Sequence, residues 1–102
     1  MTATMTTIAR DSEGFLADPA DWSRELADEI AAENGIAELT PRHWQVVEFM
    51  RDRFLTTGTA PTIRSLGKES GVPIKELYQL FPKGPAKLAA KIAGIPKPRG
   101  CI

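Results

Sequence analysis

Thr40 to Gly58 run TPRHWQVVEFMRDRFLTTG. Thr40 offers an N-cap hydroxyl, and Pro41 stands at the first helical position, where its missing N–H costs nothing. Trp44, Val47, Met50 and Phe54 then recur every three or four residues, and Gly58 supplies a stop. This spacing predicts one long amphipathic helix at the centre of a helical core. His43 falls in its first turn. No catalytic partner stands near it in the chain, so a surface or capping role is expected.

The flanks repeat the helical pattern. Downstream, TAPTIRSLGKESGVPIKELYQLF reads as two short helices joined by a tight turn at Gly71. Ile63 and Leu66 are expected to face the core from the first. Ile74, Leu77 and Phe81 are expected to do so from the second. After Pro82, the Gly84-Pro85 pair opens a last helix, PAKLAAKIA, with Gly94 at its end. Leu88 and Ile92 form an apolar i, i+4 pair there, and Lys87 and Lys91 a basic one on another face. Upstream, Trp22, Leu26, Ile30 and several alanines keep helical spacing through WSRELADEIAAENG, opened by Pro19 or Asp21 and closed by Gly35. Before that, IARDSEGFLAD alternates apolar and polar residues around Ser12-Glu13-Gly14, the pattern of a short hairpin. The expected fold is mainly α: a small orthogonal bundle of about five helices, with a short N-terminal β-hairpin and a flexible C-terminal arm. The helical domain is assigned to residues 1–93 and the arm to 94–102.

Bulk properties bound the function. The chain has 102 residues, 42% of them hydrophobic and 25% charged, which suits one globular domain. No apolar run approaches the roughly 18 residues of a membrane span, and MTATMTTIARDSEG lacks the apolar core of a signal peptide. A cytoplasmic protein with no membrane partner is expected. One cysteine excludes an intramolecular disulfide. A single Cys and a single His far apart in sequence offer no metal site, and no phosphate loop or catalytic dyad is visible. No cofactor is expected. The net charge is zero but uneven. Residues 1–38 hold nine acids against Arg10 and Arg24, whereas residues 83–102 hold Lys83, Lys87, Lys91, Lys97 and Arg99 and no acid. This asymmetry suggests an interaction at the basic end.

The tail reads IPKPRGCI. Prolines at alternate positions favour polyproline II over helix. At about 3.1 Å per residue, Gly94 to Cys101 would reach roughly 20 Å. Cys101, the only thiol, stands next to last.

Two stretches resemble known families. TIRSLGKESGVPIKELYQLFP is similar to the helix-turn-helix of TetR-type repressors, which would place residues 62–82 on DNA with Lys75, Glu76, Tyr78 and Gln79 as contacts. One lysine on that helix and no net positive charge argue against it. The longer resemblance runs from Gly14-Phe15 to Ile102. SEGFL, Asp21-Trp22, TPRHWQVVEFMRD, APTIRSL, ELYQLFPKGPAK and KIAGIPKPRGCI stand in the order of the DsrC/TusE family of sulfur-relay proteins. The resemblance implies that Cys101 rides a flexible arm and carries persulfide sulfur between an upstream donor protein and a downstream acceptor. The acceptor would be a tRNA-thiolating enzyme or a sulfite-reductase-like complex. DsrC-type members bear a second cysteine in the helix before the arm. That position is Ala90 here, so the single-thiol pattern is TusE-like and no bridge between two thiols can form within one chain.

Sulfane sulfur moves by thiolate attack, so the nucleophile must be deprotonated and reachable. Arg99 and Lys97 favour the thiolate, and the terminal carboxylate opposes them. The prolines lower the entropy cost of ordering the tip in a partner, while Gly94 and Gly100 permit a swing. Lys87, Lys91 and Arg64 are candidates for a basic surface that receives the arm and steadies a persulfide anion. The alternative for Arg64 is an ion pair with Glu69 or Glu76. The implied role is a carrier rather than a self-contained enzyme. It would be monomeric, with a Cys101-linked dimer under oxidation. Two competing readings are a DNA-binding regulator and an accessory subunit docking to a sulfite reductase.

Overall fold

A computed structural model of the chain describes residues 9–82 and 84–97. It contains five helices: α1 (Arg24–Glu33), α2 (Pro41–Thr57), α3 (Ile63–Glu69), α4 (Ile74–Leu80) and α5 (Pro85–Ala93). Among the described residues, one 3₁₀ turn, Pro19–Asp21, precedes α1. The expected five-helix architecture is therefore present.

The helix boundaries follow capping chemistry. The Ser23 hydroxyl accepts the Leu26 N–H at 3.0 Å, so α1 starts at Arg24 and Trp22 lies outside it. At α2, Thr40 and Pro41 act as the sequence indicates, and Gly58 ends the helix. His43 closes a capping box by accepting the Thr40 N–H at Nδ1, 3.1 Å away. Its Nε2 lies 3.0 Å from the Leu80 carbonyl. A carbonyl only accepts, so Nε2 carries the proton and Nδ1 keeps its lone pair. His43 is thus a capping residue as expected, but buried rather than on the surface. It meets Phe81 edge-on, with ring centroids 5.2 Å apart. His43→Ala removes the ring's hydrogen bonds to the Thr40 N–H, the Thr40 hydroxyl and the Leu80 carbonyl, and this contact. It is expected to cost about 2–3 kcal/mol in a urea unfolding titration.

The core is centred differently from the expectation. The longest helix, α2, buries His43, Val46, Val47 and Met50, with Trp44 and Phe54 only half-buried at the margins of the stripe. The centre belongs to α5, which packs against α1, α2, α3 and α4. Seven of its nine residues are buried: Pro85, Ala86, Leu88, Ala89, Ala90, Ile92 and Ala93. A helix apolar on nearly every side must be surrounded, and its alanines let the neighbours approach closely. From α3 and α4, Leu66, Leu77 and Phe81 reach the core. Ile74 does not: it is 43% exposed. It stands at the first position of α4 and covers Gly67 of α3 instead.

The expected N-terminal hairpin reduces to one antiparallel bridge between Arg10 and Leu16, with no strand among the described residues. The Asp11 carboxylate takes the Glu13 and Phe15 amides at 2.9 and 3.0 Å. Those amides tighten a turn rather than extend a ladder. Residues 1–8 lie outside the described part. Phe15 and Leu16 enter the core, which brings the turn against α5.

Candidate functional site: the end of α5 and the root of the arm

The last turn of α5 delivers the chain to the arm. Gly94 adopts a left-handed φ of 73°, and its N–H bonds the Lys91 carbonyl at 3.2 Å. The Ile95 N–H reaches back to the Ala90 carbonyl at 3.1 Å. Ile95 is fully buried, whereas Pro96 and Lys97 are exposed. The first two residues of the 94–102 segment are therefore packed into the body.

Side chains from elsewhere meet this turn. The Trp22 indole N–H donates to the Ile92 carbonyl at 2.8 Å. Arg51 of α2 donates from Nη1 to the Ala93 carbonyl at 3.1 Å and from Nη2 to the Pro19 carbonyl at 2.9 Å. Its guanidinium carbon lies 4.5 Å from the Trp22 ring centroid. Burial lowers the Arg51 pKa from its ordinary value.

On another side of α5 stands a charged cluster. The Glu13 carboxylate lies 3.4 Å from Lys87 Nζ and 3.2 Å from Lys97 Nζ. Hydrogen bonds from Lys97 and then Lys87 hold its carboxyl below the ordinary value. Lys91 lays its ammonium 5.4 Å from the Phe15 ring centroid. Asn34, Lys87, Leu88 and Lys91 line a surface cleft of about 190 Å³. Beside it, Arg10 makes a two-pronged pair with Glu33 at 2.7 and 3.2 Å. The Arg10 guanidinium holds the Glu33 carboxyl below its usual value.

The candidate residues are thus partly assembled. Lys87, Lys91 and Lys97 border the α5 face that meets the 10–16 turn. Arg64 is exposed on α3 and is not among the residues lining the cleft. The ion pairs considered for Arg64 are corrected: Glu69 pairs with Arg53, and Glu76 with Arg42 at 2.7 Å. Cys101 and Arg99 lie outside the described residues. Ala90 is fully buried. Among the described residues, no three of His, Cys, Asp and Glu gather as a metal site, and no helix is long and apolar enough to cross a membrane.

Glu13 and Arg51 are the residues sequence reasoning missed. Glu13 had a signal, because it sits in the SEGFL block that carries the resemblance. Arg51 had the same signal, since it sits in the TPRHWQVVEFMRD block, but its partners, the Trp22 ring and two main-chain carbonyls, are distant in sequence.

The Glu13 cluster has a defined pH response. A carboxyl held below its ordinary value stabilises the fold above that value, and the contribution is lost as pH falls through the lowered one. Glu13→Gln, or acidification below the ordinary carboxylate range, is expected to free the Lys97 ammonium. High salt should do the same, because the pair is exposed. NMR shifts of Lys97 and Pro96 check this: a salt titration that leaves them unmoved would contradict it.

Comparison with known proteins gives the class. The family described as "DsrC like protein" matches residues 2–102, and the chain belongs to that family. It is 50% identical to the sulfurtransferase TusE of Escherichia coli O6:H1, with 93% of each chain covered. It is 41% identical to the gamma subunit of dissimilatory-type sulfite reductase from Nitratidesulfovibrio vulgaris, over 90% of this chain and 88% of that one. The solved structure of the oxidized gamma subunit, DsrC, from Archaeoglobus fulgidus superposes with a TM-score of 0.78 at 39% identity, covering 93% of this chain and 92% of that one. The family resemblance read from the sequence is borne out.

Proposed function

We propose that this protein is a cytoplasmic sulfur carrier in which Cys101 accepts persulfide sulfur and passes it on. The observation that carries the reading is the match to a sulfurtransferase over nearly the whole chain, in a sequence whose only thiol is Cys101. In the loading step the Cys101 thiolate attacks the terminal sulfur of a donor persulfide. A new S–S bond forms, the donor's S–S bond breaks, and the donor leaves as a thiolate. Delivery is the same exchange, with an acceptor thiolate attacking the terminal sulfur on Cys101. With no second thiol in the chain, nothing within it can resolve the persulfide early.

The family resemblance implies a tRNA-thiolating enzyme as one destination, and the sulfite reductase subunit among the relatives suggests a sulfite-reductase-like complex as the other. Having one cysteine rather than two favours the TusE-like route. The relatives give no support to DNA binding through residues 62–82.

In this reading Lys87 and Lys91, with Lys97 and Arg99 on the arm, favour the anionic forms of the thiol and the persulfide. Glu13 already supplies an anion to Lys87 and Lys97, so a loaded tip would compete with it for the same ammoniums. Arg64, outside the cleft, is the least supported member of the set.

The test is intact-protein mass spectrometry after incubation with a persulfide donor, followed by reductant. A gain of sulfur that reductant removes supports the carrier reading. Lys87→Glu places two like charges together at Glu13. It is expected to slow loading or discharge about tenfold at low salt. Unchanged rates would remove Lys87 from the site.

A further inference from the structure

We infer that Trp22 and Arg51 are positioning residues that fix the direction in which the arm leaves the body. The inference rests on the reading of Cys101 as the working thiol.

A helix ends with carbonyls that have no partner within the helix. In α5 the Ile92 and Ala93 carbonyls take the Trp22 indole N–H and the Arg51 guanidinium, at 2.8 and 3.1 Å. The two donors also hold each other, with Arg51 stacked over the Trp22 ring at 4.5 Å. A positive charge at this end opposes the partial negative charge of the helix terminus. The second arm of the guanidinium goes to the Pro19 carbonyl at 2.9 Å, tying the 3₁₀ turn into the same junction. Gly94 lies against Trp22 so closely that a Cβ there would stand 2.8 Å from its Cγ. Ile95 is fully buried beyond it.

The junction therefore unites α2, the 3₁₀ turn and the last turn of α5 at the point where the arm begins. Its consequence is geometric. The last residue held by the core is Ile95 rather than Gly94, and five residues lie between it and Cys101. A fixed root sets the direction in which the residues after Ile95 start out from the body.

The single cysteine makes the test direct. A nitroxide label on Cys101 broadens the backbone amides that the tip visits. Hydrogen exchange at Ile95 reports whether the root is held. Arg51→Gln removes the charge and the two-pronged guanidinium, and Trp22→Phe removes the indole N–H, while each keeps most of the side-chain volume. Each is expected to speed Ile95 exchange at least about tenfold, the change expected from losing one strong hydrogen bond. Exchange in the middle of α2 reports global unfolding, so the rise at Ile95 should be at least as large as the rise there. The set of broadened amides should spread to new faces. Arg51→Lys keeps the charge and a donor, and should recover most of the protection. Wild-type exchange at Ile95, or an unchanged broadening pattern, in folded Arg51→Gln and Trp22→Phe would overturn the inference. Neither readout involves sulfur chemistry. Failure here is thus distinct from failure of Cys101 to take up sulfur.

Discussion

Replacing Cys101 with serine is expected to abolish sulfur uptake completely, leaving the mass of the intact protein unchanged after exposure to a persulfide donor. The loss should be total rather than partial because the chain holds no other thiol, and a hydroxyl cannot form the S–S bond that stores the sulfur. A melting curve that matches the wild type would show that the loss is chemical rather than structural. Paired measurements separate the cases. Uptake by the wild type alone assigns the cargo to Cys101. Uptake by neither, with a donor known to be loaded, would sink the carrier reading and leave docking to a reductase as the next hypothesis.

Replacing Gly94 with alanine is expected to produce the largest loss of stability. Two costs combine. The residue sits at φ 73°, where a side chain costs about 1–2 kcal/mol. An added Cβ would also lie 2.8 Å from Trp22 Cγ and 2.9 Å from Leu16 Cδ1. Forcing that contact costs about 1–3 kcal/mol. The sum, about 2–5 kcal/mol, should lower the melting temperature by roughly 8–40 °C in a domain of this size. Gly35 is the internal control. Its φ is 89°, but nothing lies within 4 Å of a Cβ placed there. Gly35→Ala should therefore show only the backbone cost, about 1–2 kcal/mol. Equal melting temperatures for the two variants would refute the close approach of Trp22 to Gly94.

Much of the fold could be read from local chemistry. Thr40-Pro41, Gly58 and Gly94 marked helix ends because capping is set by a few neighbouring residues. The placement of α5 was less legible. Its alanines read as permitting close approach, but four surrounding helices are a tertiary fact that no window of sequence contains. Ile74 shows the opposite failure. Its apolar side chain suggested the core, yet it covers a glycine on the neighbouring helix. The 10–16 turn misled because alternation is shared by hairpins and by turns whose amides are taken by an aspartate. At the candidate site, Lys87, Lys91 and Lys97 were legible as a charge pattern. Their carboxylate partner Glu13 lies more than seventy residues earlier in the chain than either Lys87 or Lys97, so only folding brings them together. Arg51 looked like one of many surface charges on an amphipathic helix.

Four helices lean on α5, and apart from the α3–α4 pair the principal helix contacts all pass through it. Such a hub leaves no half of the molecule able to persist alone. Apart from fraying at the ends, amides in α1, α2 and α4 should open together, with a single free energy equal to that of global unfolding. The same helix that leads into the arm is thus the element on which cooperativity depends. A partner that pulls on the arm pulls against the whole fold at once, so force applied at the tip is resisted by every helix rather than by the last one.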